Sequence, residues 1–265
     1  MLDNVFKPRF DSFSVFFELQ KLYINKTKNI YLILIFMIKY LLQLIYPNTC
    51  ICCYNHLVDT ENFVCTLCLL ELPATNYHLK PNNDLDKLFW GRVNIERAIA
   101  LLLYKKGGKT AKILHALKYN DTPEIAQFLG RYYGTFLREF IKENNIEAVA
   151  AIPLHKKKLY MRGYNQSEKL AVGLAETLAI DNLSNFLIRT KFTETQTQKS
   201  RLDRSYNVNK VFEVIDVKMF ENKHVLLIDD VITTGATIDS CVTEMLQINN
   251  CKVSVAGLAF ANLGV

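Results

Sequence analysis

Two groups of side chains in this sequence have the types and spacing that chemistry needs. The first is Cys50, Cys53, Cys65 and Cys68, two C-x-x-C pairs separated by eleven residues. Two residues between thiolates let both sulfurs of a tight knuckle face one ion. Two knuckles complete a tetrahedron of four sulfurs, for which Zn2+ is the expected ion. Cys52 could replace Cys53 in a looser C-x-C, and His56 stands nearby. A ribbon this short cannot build a core of its own, so the metal would supply folding energy directly. The second group lies in Val225–Thr237, V-L-L-I-D-D-V-I-T-T-G-A-T. Four apolar residues form a buried strand with Asp229 and Asp230 at its carboxyl end. The small turn Thr233, Thr234, Gly235, Ala236, Thr237 then opens a helix. Ligands of open parallel sheets bind where strands end, and a turn entering a helix offers free N–H groups to a phosphate. The threonines add hydroxyl donors, and Gly235 lets the backbone come close. The carboxylates cannot face the phosphate. They suit vicinal sugar hydroxyls, or a Mg2+ reached through water. The segment reads as a cradle for a ribose 5-phosphate. An acidic turn before a capped helix would explain the Asp pair but not the order of all thirteen residues, and no Gly-Lys-Thr/Ser follows to make a P-loop.

The elements that must position these groups follow from periodicity. Residues 94–104 are apolar and fit a strand or a helix edge. Thr110–Lys118 and Pro123–Lys142 read as helices, with Ile113, Leu114 and Leu117 on one face and Pro123 in a first turn. Glu147–Ile152 reads as a short buried strand ending at Pro153, Gln166–Ala179 as a helix, and Asn185–Arg189 as a candidate strand. Beyond a polar stretch from Thr190 to Asn209 come a strand at His224–Ile228, a helix at Ala236–Ile248 and a strand at Lys252–Leu258. Strands alternating with helices over 146–258 imply an α/β fold, a parallel sheet with helices on both faces. Pro73, Asn76, Pro81, Asn82 and Asn83 break any period, so 73–90 is expected to be a linker. The expected domains are a leader over 1–36, a short amphipathic helix over 37–49, the ribbon over 50–72, that linker, and a main domain over 91–262.

Composition narrows the class. The chain has 265 residues, 50% apolar and 22% charged, with 10 Gly and 6 Pro, which excludes collagen-like, low-complexity and mostly disordered chains. Seven Cys, five of them between positions 50 and 68, point to metal before disulfides and to a reducing, cytoplasmic location. Of the seven, Cys241 is expected in the core. The net charge of +6 is uneven: residues 151–220 hold 12 Lys and Arg against 7 Asp and Glu, while 221–265 hold 2 against 5. A basic middle suits an anionic ligand, phosphate or nucleic acid. Ile30–Tyr46 is too short for a membrane helix and contains Lys39, so no stable span is expected. Within it Ile38, Leu41, Leu42 and Ile45 mark one helical face, and Pro47 stops it. Met37 at the head of that helix is expected to be the physiological start.

The Asp-Asp segment resembles the phosphoribosyl pyrophosphate signature of type I phosphoribosyltransferases. Residues 150–166, A-A-I-P-L-H-K-K-K-L-Y-M-R-G-Y-N-Q, resemble the P-x-P-L-H … R-G-F-N-Q block of the ComF/GntX family. That family is phosphoribosyltransferase-like and linked to natural competence and DNA utilisation. I-L-H-A-L-K-Y at 113–119 also matches, as do Arg201, Arg204 and Asn207 after Thr195-Gln196, and the amino-terminal ribbon. The resemblance covers about Met37 to Asn262. It implies the type I phosphoribosyltransferase fold, with Asp229 and Asp230 on the ribose hydroxyls and Thr233–Thr237 on the 5-phosphate. Leu154, His155 and Lys156 would receive the pyrophosphate, and Arg162 and Asn165 would order that segment or reach the phosphates. The stretch 190–207 would be a lid whose Lys191, Arg201 and Arg204 close over the pyrophosphate. The chain departs from the family at its end, L-A-F-A-N, where an Arg is common after L-A.

Three functions follow as expectations. The first is Mg2+-dependent transfer of phosphoribosyl from phosphoribosyl pyrophosphate to an acceptor that no motif identifies. The second is a competence factor that binds single-stranded DNA and uses the site as a ligand sensor, with Lys105, Lys106, Lys109, Lys112 and Lys118 beside Tyr104 and Tyr119. The third is a module docked on DNA-uptake machinery through the Ile30–Tyr46 run.

Overall fold

The computed structural model describes residues 48–120, 122–190 and 210–261, together with Met37. The chain divides into two compact units, Met1–Thr49 and Cys50–Val265. Nearly all of the first lies outside the described residues, including the expected leader and the face of Ile38, Leu41, Leu42 and Ile45.

In the second unit a five-stranded parallel sheet runs in the order β1 (Ala98–Leu103), β7 (Lys252–Phe260), β6 (His224–Ile232), β2 (Ala148–Ala151), β3 (Asp181–Asn182). Its central strands are runs of apolar residues because both faces are covered. Successive side chains alternate between two cores. Ile99, Val149, Leu226 and Leu258 face the ribbon and helices α3 (Lys109–Tyr119), α4 (Pro123–Glu143) and α6 (Gln166–Leu178). Ala98, Ala148, Leu227 and Val255 face α2 (Asp84–Phe89) and α7 (Ala236–Met245), with Cys241 buried among them as expected. The two remaining helices are short, α1 (Thr66–Leu70) in the ribbon and α5 (Lys156–Arg162) after β2.

Helices α4 and α6 cross where Gly130 meets Gly173. A methyl group on Gly173 would stand 2.1 Å from the Gln127 carbonyl oxygen, so only glycine permits this approach. That crossing presses α6 onto the sheet and fixes where its first turn, Asn165 to Ser167, meets β6.

Several expectations change. Of residues 94–104, Ala98–Leu103 form a strand, β1, and the rest do not. β6 continues to Ile232, paired with Phe260, so the two aspartates lie inside the strand rather than at its end. Residues 73–90 are not a linker. Asn83 and Asp86 form a capping box at the start of α2, Asp86 also accepts from the Ala98 N–H at 2.6 Å, and Leu85 and Phe89 are fully buried. The Pro- and Asn-rich spacing hid a helix of six residues too short to show a period. The candidate strand at 185–189 is β4 (Leu187–Arg189), which leaves the parallel sheet and pairs antiparallel with β5 (Phe212–Val214). Among the described residues no helix is long and apolar enough to cross a membrane.

Candidate functional site

The site forms at the carboxyl edge of the sheet, around β6. Asp229 is partly buried and accepts hydrogen bonds from the Ser167 hydroxyl at 3.2 Å and the Asp230 N–H at 2.9 Å. Asp230 accepts from the Val231 N–H at 2.8 Å, and its second oxygen lies 3.5 Å from the Lys118 ammonium. Burial, reinforced by the neighbouring Asp230 charge, pushes the Asp229 carboxyl up to about 8. Two adjacent carboxylates with few donors of their own are poised to take hydroxyl protons or a cation from a ligand.

The turn beyond β6 leaves Thr233, Thr234, Ala236 and Thr237 exposed around a buried Gly235. Gly235 caps α7 at φ 75°, and a methyl group there would meet the Phe89 ring at 2.7 Å. Glycine is therefore required twice, by the backbone angle and by the space. Arg92 holds the turn from outside. It donates to the Thr234 carbonyl at 2.7 Å and pairs with Asp239 in the first turn of α7.

On the β2 side the chain turns through Pro153, Leu154 and His155. The His155 side chain caps α5, accepting from the Lys157 N–H at 3.2 Å. Asn165 caps α6, accepting from the Ser167 N–H at 3.1 Å, and donates to the Ile152 carbonyl at 3.0 Å. Arg162 donates to Gln166 at 3.0 Å. Asn165 thus ties the end of β2 to the start of α6, and Lys156 and Leu154 line a hollow of about 270 Å3 with Arg189. Burial lowers the Arg189 pKa, an effect that the charge of Asp229 opposes. Lys191, Arg201 and Arg204 lie outside the described residues; on either side of 191–209, β4 and β5 pair.

The structure brings Cys50, Cys53, Cys65 and Cys68 together, with one sulfur from each within 4.8 Å of the others. Cys53 and Cys65 are 3.8 Å apart, the edge of a tetrahedron whose metal–sulfur bonds are about 2.3 Å. Burial raises the Cys50 thiol, but N–H groups of Cys65, Cys53 and Cys52 outweigh it and bring the thiol down to about 6. Cys68 is pushed far up by burial and by its neighbours in the cluster. Four thiols this close ionise together only around a cation, so the set could hold a metal ion. Cys52 is outside the cluster, its thiol 3.9 Å from the Lys109 carbonyl. That settles the geometry of the C-x-x-C pair in favour of Cys53. His56 is exposed and belongs to no cluster among the described residues.

Sequence reasoning did not find Arg92, Ser167 or Arg189, and it placed Lys118 in the 113–119 family block and on a basic surface without linking it to Asp230. Arg92 lies 142 positions from its Thr234 contact and Ser167 lies 62 from Asp229, so no local spacing exposes them. At the chain end, Phe260 stands where the family often has Arg; it is buried, and its ring packs 6.3 Å from Tyr77.

No family model matches the sequence. The chain is similar to competence protein F of Haemophilus influenzae, 36% identical over 153 residues, 56% of this chain and 67% of that protein. It is similar to DNA utilization protein YhgH of Escherichia coli K12, 26% identical over 200 residues, 74% and 83% of the two chains. Competence protein ComFC of Streptococcus pneumoniae is 32% identical over 124 residues, 47% and 52%. Among solved structures, glutamine phosphoribosylpyrophosphate amidotransferase from B. subtilis aligns at 20% identity and a TM-score of 0.38, over 62% of this chain and 32% of its own. This chain thus spans about a third of that protein's length, and so loose a superposition adds nothing to the sheet topology above.

Proposed function

The chain belongs to the ComF family of competence and DNA-utilisation proteins, and from that premise we propose that it binds phosphoribosyl pyrophosphate with Mg2+ and transfers the phosphoribosyl group to an acceptor during DNA uptake or processing. One observation carries the reading. Asp229 and Asp230 stand beside an exposed Thr-Thr-Gly-Ala-Thr helix start, at the carboxyl edge of a parallel sheet. The 5-phosphate takes the N–H groups and hydroxyls of Thr233–Thr237, and the ribose hydroxyls donate to Asp229 and Asp230. The pyrophosphate turns toward Leu154, His155 and Lys156, with Arg189 at the side. Mg2+ neutralises the leaving pyrophosphate when bound. Asp230 stabilises the positive charge that develops on the ribose, Asp229 holds a ribose hydroxyl beside it, and Lys156 and Arg189 stabilise the negative charge on the leaving group. Lys191, Arg201 and Arg204 belong to the segment we assign as the lid, which excludes water from the activated sugar. Zn2+ in Cys50, Cys53, Cys65 and Cys68 is structural, and the protein is cytoplasmic in this reading.

Titration calorimetry tests the binding step. Wild type should bind phosphoribosyl pyrophosphate only with Mg2+, and Asp230→Asn should lose about tenfold or more in affinity. Equal binding by both would sink the reading. Release of labelled pyrophosphate with candidate acceptors then tests transfer.

A second reading has support in the ribbon surface. The Lys112 ammonium sits 4.7 Å over the ring of exposed Tyr54, and Lys105, Lys106 and Tyr119 are exposed nearby in sequence. Charge beside stacking faces suits single-stranded DNA, with the sugar-phosphate site as a sensor. Binding that falls steeply with salt would favour this reading, and no binding at low salt would remove it.

A further inference from the structure

Asp229 is held from two directions. The Asp230 N–H donates to its Oδ1 at 2.9 Å, along the strand, and the Ser167 hydroxyl donates to the same oxygen at 3.2 Å, from the first turn of α6. One hydrogen bond lets a carboxylate swing about it. Two donors from different elements fix its plane and leave Oδ2 to be offered. Ser167 can do this because it is itself fixed. It is 4% exposed, and its N–H is capped by the Asn165 side chain at 3.1 Å. Asn165 in turn donates to the Ile152 carbonyl at the end of β2, and the neighbouring Tyr164 hydroxyl donates to the Leu117 carbonyl at 2.5 Å. The close crossing of Gly130 and Gly173 seats the rest of α6. A serine carries its oxygen on a single carbon, so little in this chain of contacts is slack.

Asp230 is held differently. Its Oδ1 accepts from the Val231 N–H of its own strand at 2.8 Å, and its Oδ2 faces the Lys118 ammonium at 3.5 Å. That cation ends a flexible four-carbon stem and is 27% exposed, so it can follow the carboxylate when it turns. The two acids are adjacent in sequence but unequal: one is clamped and the other is tethered.

We propose that Ser167 makes this site specific for the configuration of ribose. By clamping Oδ1 of Asp229 it aims Oδ2 at one of the two vicinal hydroxyls, so the site reads the stereochemistry of that carbon strictly and of the other loosely. The inference rests on the phosphoribosyl reading of Asp229 and Asp230 and adds the positioning residue behind it. An inverted hydroxyl leaves the clamped oxygen without its donor, and the clamp keeps that oxygen from turning to find another. A polar atom desolvated and unpaired in this way is costly. The tethered Asp230 turns with Lys118 and loses less. Ser167 touches no ligand atom; it acts through Asp229.

The test is calorimetric binding of three sugar phosphates to the full chain: ribose 5-phosphate, arabinose 5-phosphate, inverted at C2, and xylose 5-phosphate, inverted at C3. All three carry the same phosphate, so their differences report the hydroxyls. Relative to ribose, wild type should reject one epimer about a hundredfold and the other about tenfold. Ser167→Ala keeps the backbone N–H that Asn165 caps, so the helix start stays intact. This variant should bind ribose 5-phosphate about tenfold more weakly and leave the strictly rejected epimer unchanged, which cuts that rejection to about tenfold. The other epimer still meets Asp229 and should lose the same factor as ribose, so its ratio holds. A merely structural fault would weaken all three alike. Equal loss for all three sugars, or a strict rejection that survives in the variant, overturns the role of Ser167. Wild type that binds phosphoribosyl pyrophosphate with Mg2+ but treats the three sugars alike overturns it as well. Wild type that binds neither phosphoribosyl pyrophosphate nor any of the sugars is a separate failure, and it overturns the phosphoribosyl reading beneath.

Discussion

At the residue scale the site is built from groups held in states they would not choose in water. Asp229 is the clearest. Its carboxyl ordinarily titrates near 3.8, and burial with Asp230 beside it raises this to about 8. A folded-state pKa above the unfolded one means that the stability is whole below about pH 4 and is lost as the pH rises toward 8. Asp229→Asn removes that cost. It should raise Tm at pH 9 by several degrees, at about 2–4 °C for each kcal/mol relieved in a chain of this size, and the gain should shrink as the pH falls. The same variant should lose phosphoribosyl pyrophosphate, so stability and binding move in opposite directions. A variant that melts like wild type at every pH would contradict the buried pair. His224 has the opposite sign. Burial lowers its pKa, and its Nδ1 lies 2.7 Å from the Asn144 carbonyl, which can only accept, so Nδ1 carries the proton. Nε2 then accepts from the Ser254 hydroxyl at 2.9 Å. A depressed histidine gives stability that is present above its ordinary 6.5 and lost as the pH falls. His224→Asn should therefore lose less Tm than wild type between pH 7 and about pH 5, measured by calorimetric melting.

At the scale of elements, the strand–turn–helix unit from β6 to α7 was legible because each part is local. Four apolar residues, two acids and a turn with one obligatory glycine are all read in order along thirteen residues. What locks the turn was not legible, because Arg92 follows α2 and reaches Thr234 and Asp239 from far away in the chain. α2 itself was hidden, since its six residues are too few for a period and its strength lies in the Asn83–Asp86 box and the bonds of Asp86 to β1. Arg92 therefore positions the turn that we propose binds the 5-phosphate. Arg92→Ala should weaken ribose 5-phosphate binding about tenfold. A partly exposed ion pair contributes only ~0–1 kcal/mol to folding, so Tm should hardly move. Arg92→Lys, which keeps the charge but loses the fork to two partners, should recover only part of the affinity. Equal affinity in all three proteins, read by calorimetry, would show that the turn holds itself.

For the whole molecule, the alternation of strands and helices gave the parallel sheet but not its extent. β1 reads equally as strand or helix edge, and only its pairing with β7 from Ala98–Val255 onward decides it. The ribbon is the larger departure, because a small metal-dependent module before a linker suggests a separate body. Cys50, Cys52, Val64, Cys65 and Cys68 instead share one continuous core with Leu114, Leu117, Leu129 and the sheet. Lys109 and Lys112, on the first turns of α3, pair with Glu71 and with the Cys52 carbonyl. The cysteine cluster thus supports the helix that carries Lys118 toward Asp230. If the cluster holds the Zn2+ we propose, removing it should leave several thiols buried together without a cation, loosening α3 along with the ribbon. Chelation under reducing conditions should lower the single melting transition of the whole domain and also weaken phosphoribosyl pyrophosphate binding, although no cysteine touches that site. Cys65→Ser should reproduce both effects. If chelation abolishes only a small early transition, and sugar binding survives at full strength, then the ribbon is an independent appendage and the shared core carries no coupling between the two centres.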